Sequence, residues 1–315
     1  MRVVFLGTPD FAVASLEKIA EAGFKLVGVV TAPDKPAGRG LKLKASAVAK
    51  AANRLNIPVL KPAKLKDPEF ISQLQALQAD IQVVVAFRML PELVWNMPPL
   101  GTWNLHASLL PQYRGAAPIN HAIINGETIT GVSTFKLVHE IDRGALAMKK
   151  EVEISPDMTA GQLHDILMIT GAGLLADTLK AIENNTVKLI EQQAPAGEAL
   201  KEAPKLTPAF CSFSNSLTCR QAHNLIRGLS PYPGVHAKLL DGDEIREIKL
   251  YLSALSSYYI PNLQPGELSV EGNQLYICMN DGFLEIIELQ PAGKRKMQAH
   301  EFISGLRNRK NLILE

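Results

Sequence analysis

The sequence predicts an α/β fold: a Rossmann-like, mostly parallel sheet with helices on both faces, followed by a small OB-like β-barrel domain. Two observations lead there. Through the first 189 residues, short apolar runs rich in β-branched residues (3–6, 26–30, 81–87) alternate with stretches of helical spacing, the pattern of a parallel sheet buried on both faces. Beyond residue 208, turn signals such as Asp241-Gly242, Pro265-Gly266, Glu271-Gly272 and Asp281-Gly282 punctuate short strands rich in Val, Ile, Leu and Tyr, which reads as a small barrel. Between them, 190–208 is a linker of Gln, Ala, Pro, Gly, Glu and Lys, so the expected domains are 1–189 and 209–315.

In order, the run 3–6 stops at Gly7-Thr8-Pro9 and a helix follows over 10–22, with Phe11 and Ile19 on one face. No GxGxxG follows this strand, so a dinucleotide site lacks its fingerprint and a tight strand-to-helix turn is favoured. Residues 31–44 form a loop by their Pro and Gly content. The loop sets Lys35, Arg39, Lys42 and Lys44 against the single acid Asp34. Such a run is either solvated surface or an arm for a polyanion, since Lys and Arg bind phosphates strongly. Helices are expected over 45–55 and 67–77, and 81–87 belongs at the sheet centre. A short helix over 91–96 has Pro91 at its first turn. Next come a strand at 102–107, a loop at 108–117, a helix at 118–124, and extended segments at 132–137 and 145–154. Thr159 and Gln162 have the spacing of a capping box. They open a helix to about 183 whose stripe of Leu163, Ile166, Leu167, Leu174, Leu175, Leu179 and Ile182 reads as core-facing. A further helix is expected over 217–229.

Composition limits the function classes. With 47% apolar and 20% charged residues the chain reads as an ordinary globular protein, and a net charge of only +2 means that attraction to nucleic acid must come from local patches. Cys211, Cys219 and Cys278 lack CxxC spacing, which favours reduced thiols over a disulfide framework. The N-terminal apolar run is too short for a signal peptide, and no apolar stretch reaches the roughly 18 residues of a membrane span. A cytoplasmic monomer with no membrane partner is expected. The seven histidines show no ligand spacing, and no metal is expected.

The chemistry concentrates in GTWNLHASLLPQYRG, residues 101–115. Residues two apart on a strand share a face, so Asn104 and His106 point together from the carboxyl end of a buried strand, where ligands of open α/β sheets bind. An imidazole can move protons near neutral pH, and an Asn amide can donate to a developing oxyanion without changing its charge. By itself an N-x-H pair is equally a hydrogen-bonded core pair.

NLHASLLPQYRGAAPI (104–119) and GVSTFKLVHEIDRG (131–144) resemble the folate-dependent formyltransferase family, as do GTPDFA, DKPAGRG, IRGLSPYPG and LQPAGKRKM elsewhere. That family uses an Asn, a His and an Asp, which match Asn104, His106 and Asp142 as catalytic residues. The resemblance implies transfer of a formyl group from 10-formyltetrahydrofolate to the amino group of methionine on initiator tRNA. Asn104 and protonated His106 would stabilise the oxyanion, and Asp142 would orient or charge-compensate His106. It further implies a folate pocket formed, largely through backbone groups, by Phe87, Arg88, Met89 and Leu90, by Ser108, Leu109, Leu110 and Pro111, and by Val138 and Ile141. Lys35, Arg39, Lys42 and Lys44 would contact the tRNA acceptor end, and the C-terminal barrel its flank. The chain departs from the family pattern at Arg88, where many members have a small residue, and at Arg143, where Thr is usual. It also departs at His139, Glu140 and Ala145. Arg143 matters most, because a cation beside Asp142 could compete with His106 for its carboxylate. A transferase acting on a small amine (or a formyl-folate hydrolase) and a catalytically silent RNA-binding protein are the alternatives, beside an NAD oxidoreductase, which lacks its fingerprint. The basic loop argues against the first, and the Asn104–His106–Asp142 set against the second.

Overall fold

The computed structural model describes residues 1–37, 42–194, 197, 199–242, 244–306 and 312–315. The chain opens with β1 (Arg2–Gly7), α1 (Asp10–Glu21) and β2 (Lys25–Val30), and then makes a small hairpin of β3 (Lys35–Ala37) and β4 (Lys42–Lys44). This hairpin lies inside the stretch read as a loop. Its residues lack the apolar alternation of a half-buried strand, so only the pairing of Lys35 with Lys44 and Pro36 with Leu43 reveals it. Next come α2 (Ala47–Arg54), β5 (Val59–Leu60), α3 (Pro68–Ala76), β6 (Ile81–Val85), α4 (Glu92–Trp95) and β7 (Thr102–His106). Ser46 caps α2 and Asp67 caps α3, each side chain accepting a free amide of the first turn. After β8 (Arg114–Gly115) and α5 (Pro118–Ile124), β9 (Ile129–Lys136) and β10 (Leu146–Glu153) precede the long α6 (Ala160–Glu183).

Among the described residues the larger sheet of this half runs β10-β9-β7-β6-β1-β2-β5. The pairs from β5 to β7 are parallel, and β9 joins β7 antiparallel, which makes the sheet mostly parallel as expected. From β1 the chain builds outward through β2 and β5, then returns to build the other way through β6 and β7. That reversal between β1 and β6 opens a crevice at the carboxyl ends of the strands. One face packs Val4, Leu6, Val30 and Val84 against Phe70 and Leu74 of α3 and Val94 of α4. On the other, Leu105 of β7 approaches Gly171 of α6 so closely that a Cβ there would lie 2.8 Å from its methyl carbon. The expected capping box of α6 is present, with the Thr159 amide donating to Gln162 Oε1 at 2.9 Å and the Gln162 amide to Thr159 Oγ1 at 3.3 Å. Leu163, Leu167, Leu175, Leu179 and Ile182 of its stripe are buried, whereas Ile166 is exposed.

The later part contains β11 (Glu202–Ala203), α7 (Cys219–Gly228), β12 (Val235–Asp241), β13 (Glu244–Ser256), β14 (Leu268–Glu271), β15 (Gln274–Met279), β16 (Gly282–Pro291), β17 (Met297–Gln298), α8 (Ala299–Ser304) and β18 (Leu312–Leu314). The strands order as β14-β15-β16-β13-β12-β18. An antiparallel bridge from Glu267 to Ile313 and a 2.8 Å bond from the Leu314 amide to the Gly266 carbonyl bring the last strand back to the first, giving a nearly closed barrel. Strand β12 alternates as such a wall must, with Val235, Ala237 and Leu239 inward and His236 and Lys238 outward. Leu225, Ile226 and Leu229 join the barrel core from α7 and the residue after it. Cys211, Cys219 and Cys278 are free thiols, and burial raises the pKa of each, that of Cys219 to about 12.

Packing divides the chain into two compact units: Met1–Gly115, Thr130–Val152 and His164–Glu202 form one, and Ala116–Ile129, Glu153–Leu163 and Ala203–Glu315 the other. Within the second unit, buried Arg227 donates from Nη1 to the Met158 carbonyl at 3.0 Å and from Nε to Asn224 Oδ1 at 2.9 Å. Among the described residues no helix is long and apolar enough to cross a membrane.

Arg227→Met keeps the aliphatic length but strips both donors, one from a buried acceptor and one from a part-buried one. It is expected to cost on the order of 1–3 kcal/mol, seen as a lower urea midpoint. A midpoint equal to that of the unmodified chain would show these bonds to be dispensable.

Candidate active site

Strand β7 lies between β6 and β9, in register Val84 with Asn104 and His106 with Ser133. Leu105 is taken up by the packing against α6, so strand alternation sends Asn104 and His106 to the opposite face. His106 is buried and Asn104 half-buried. Among the described residues the Asn104 amide has no hydrogen-bond partner.

The loop after β7 doubles back over its own strand. Ser133, across the ladder from His106, donates from Oγ to the Ser108 carbonyl at 2.7 Å and accepts the Leu110 amide at 3.1 Å. Ser108 Oγ donates to the Gln112 carbonyl at 2.7 Å, and Lys149 Nζ donates to the Leu110 carbonyl. The loop closes at Tyr113, whose φ of +59° turns its carbonyl back onto His106 Nε2 at 2.9 Å. A carbonyl only accepts, so Nε2 carries the hydrogen and Nδ1 is the nitrogen left for other work.

That nitrogen faces Asp142. Nδ1 lies 3.9 Å from Asp142 Oδ2, beyond a direct hydrogen bond yet close enough for strong attraction to an imidazolium. Asp142 sits in the turn between β9 and β10 at φ +52°, and its Oδ2 accepts the Gly115 amide at 3.1 Å. The turn can close only over a glycine, because a Cβ at Gly144 would stand 1.7 Å from the Lys136 carbonyl oxygen. Arg143 is exposed and makes no ion pair with Asp142 among the described residues, so the carboxylate stays with Gly115 and His106. The neighbouring cation is Arg114, which donates from Nε to the Asp142 carbonyl at 3.1 Å. Burial and then nearby Arg143 lower the Arg114 pKa, with Asp142 acting against both.

The remaining predicted residues divide in two. In the 87–90 turn, Arg88 is occupied: its guanidinium donates to the Pro62 and Ala63 carbonyls and lies 5.6 Å from the Phe87 ring centroid. Leu90 is buried, while Met89 is exposed. Leu137 packs both against the cluster holding Leu90 and Phe87 and against Leu110, Phe135 and Leu146, so it ties this turn to the 108–111 loop. Val138 and Ile141 are exposed apolar side chains beside Asp142 in sequence. The basic loop stands apart from the His106–Asp142 pair: Lys35 and Lys44 line a cleft with Asp10, Ser46, Lys50 and Arg54. Arg39 lies outside the described residues, as does the side chain of Lys42. Among the described residues no group of three or more His, Cys, Asp or Glu converges on a metal-sized site.

Sequence reasoning missed Ser133, Tyr113, Arg114 and Gln192. Gln192 donates from Nε2 to the Asp142 and Gly144 carbonyls, and it lies in the stretch read as a linker. The family resemblance had already covered the region around the first three. Nothing in composition or spacing singles out the fourth.

Comparison with known proteins matches residues 1–179 to the formyl transferase family and 205–307 to the formyl transferase C-terminal domain. The chain is 47% identical over 307 residues to the methionyl-tRNA formyltransferase of Flavobacterium johnsoniae, covering 97% of this chain and 96% of that one. It is 45% identical over 310 residues to that of Bacteroides thetaiotaomicron, covering 98% and 96%. Among solved structures, the sugar 3N-formyl transferase WlaRD aligns at a TM-score of 0.66 and 20% identity over 94% of this chain and 99% of that one, a likeness of fold.

Ser133→Ala leaves the Leu110 amide without its acceptor inside the protein. The expected result is a loss on the order of 1–3 kcal/mol and faster amide exchange at Leu110. Unchanged exchange there would remove Ser133 from the support of this loop.

Proposed function

The chain belongs to the formyl transferase family, and from that premise we infer that it transfers a formyl group from 10-formyltetrahydrofolate to the amino group of methionine on initiator tRNA, for translation initiation. One observation carries the assignment of roles. His106 has one nitrogen bound to a backbone carbonyl and the other aimed at a carboxylate, with the Asn104 amide, which has no partner among the described residues, on the same strand face.

Attack of the neutral amine on the formyl carbon generates a tetrahedral oxyanion. Asn104 donates to that oxygen without changing charge, and His106 as an imidazolium stabilises it from Nδ1. Asp142 balances the positive charge on His106 and assists the passage of a proton from the attacking amine toward the departing folate nitrogen. Formyl folate supplies an already activated acyl group, so these residues need only orient, polarise and move protons. The donor lies against Phe87, Arg88, Met89 and Leu90, Ser108 to Pro111, and Val138 and Ile141. The exposed apolar side chains of Met89, Val138 and Ile141 suit a flat heterocycle, and backbone groups of the turns read its edges. Arg88 serves the turn itself, since its guanidinium is already spent on two carbonyls.

Lys35, Arg39, Lys42 and Lys44 form the arm for the tRNA acceptor end. The cleft of Lys35, Lys44, Lys50 and Arg54 supports this reading by concentrating positive charge in a chain whose net charge is only +2. Residues 1–189 carry the chemistry, 190–208 link, and 209–315 hold the tRNA flank. The enzyme acts as a monomer in the cytoplasm.

The decisive assay compares charged initiator tRNA, charged elongator tRNA and free methionine as acceptors of the formyl group. His106→Ala and Asp142→Ala are each expected to abolish formylation while leaving tRNA binding intact, and near-normal turnover in either would remove it from the catalytic set. Arg39→Ala is expected to weaken use of tRNA in a salt-dependent manner with little change in folate affinity. Unaltered, salt-independent tRNA kinetics would return the loop to plain solvated surface.

A further inference from the structure

The carboxamide of Gln192 uses every hydrogen-bonding position it has. Its Nε2 donates to the Asp142 carbonyl at 2.9 Å and the Gly144 carbonyl at 2.8 Å. Its Oε1 accepts from Arg114 Nε at 3.1 Å and Nη2 at 2.7 Å. A primary amide offers two donors and two acceptor positions, so the set is complete. Arg114 Nε also reaches the Asp142 carbonyl, which therefore takes donors from two side chains.

This support falls where the backbone needs it. A non-glycine residue in the left-handed region costs about 1–3 kcal/mol and persists only when its surroundings fix it. Asp142 is such a residue. Its carboxylate is aimed by its backbone, so a relaxed turn would move Oδ2 away from both Gly115 and His106 Nδ1. The same stretch of chain also steadies the other arm of the histidine clamp. The Lys201 carbonyl accepts the Tyr113 amide at 2.6 Å, and the Lys201 amide donates to Gln112 Oε1 at 2.7 Å.

We propose that Gln192 is a positioning residue for formyl transfer: its amide, held by Arg114, locks the Asp142 turn so that the carboxylate stays aimed at His106. The inference rests on the reading above that Asp142 serves His106 in catalysis. Gln192 touches no reacting atom and acts through Asp142 alone. The segment after α6 is thereby part of the catalytic apparatus as well as a connection.

Gln192→Glu separates this role from simple structural support. It keeps the shape and gives Arg114 a better acceptor, but turns the two donors into a carboxylate oxygen facing two carbonyls. The measurements are kcat, KM for each substrate and the unfolding midpoint, for Gln192→Glu, Asp142→Asn and the double variant. For Gln192→Glu the expected result is a kcat lower on the order of 10- to 100-fold, from misplacement of a catalytic group, with both KM values and the midpoint near those of the unmodified chain. The double variant should be no slower than Asp142→Asn, because both changes act through one group. Gln192→Met, which removes all four bonds at similar length, is read the same way should the Glu variant not fold. Normal kcat in the folded variant, or full multiplication of the two losses in the double, overturns the proposal. Normal turnover in Asp142→Asn instead removes the role of Asp142, a distinct outcome.

Discussion

A bond of 2.9 Å from His106 Nε2 to the Tyr113 carbonyl ties up one edge of the imidazole and leaves Nδ1 as its other nitrogen, the one that faces Asp142. Much of the local structure meets this constraint. The chain must leave β7, cross its own strand end and return within seven residues, and it does so with Tyr113 in the left-handed region. Ser108 and Ser133 bind the loop to itself and to β9, which holds the returning carbonyl at the Nε2 edge of the ring. Without that bond the ring could turn either nitrogen toward Asp142, and the pair would lose its direction.

Charge around the pair is arranged with the same economy. Asp142 is half-buried, and its Oδ2 takes a neutral backbone amide, which leaves its negative charge available to the histidine. Arg114 spends its positive charge on the turn's carbonyl and on a neutral amide oxygen. Arg143, exposed, makes no ion pair with that carboxylate among the described residues. Its influence falls on Arg114, whose pKa it helps to lower.

The sequence conveyed the architecture wherever burial imposes a period. The runs in β1, β2 and β6 are apolar because both faces of the sheet are covered, and the 2-residue alternation of β7 by itself puts Asn104 and His106 on one face. Asp142 is 36 residues further on and came only through the family resemblance, since nothing local predicts which turn will meet a given strand end. Gln192 was illegible for a physical reason: a side-chain amide bound to main-chain carbonyls needs neither periodicity nor a charge partner. The hairpin of β3 and β4 was hidden by its lysines and proline, and α8 by its shortness.

The second unit draws Ala116–Ile129 and Glu153–Leu163 from the earlier half of the chain. Ile124 of α5 packs on the barrel core, Asn120 donates to the Gly228 carbonyl at 2.7 Å, and the Met158 carbonyl receives Arg227. Residues 209–315 alone therefore lack part of what their own side chains bind. Cut free at residue 209, the barrel would leave the Arg227 guanidinium without the Met158 carbonyl and the Gly228 carbonyl without Asn120, so an excised C-terminal piece is a smaller object than the unit it came from.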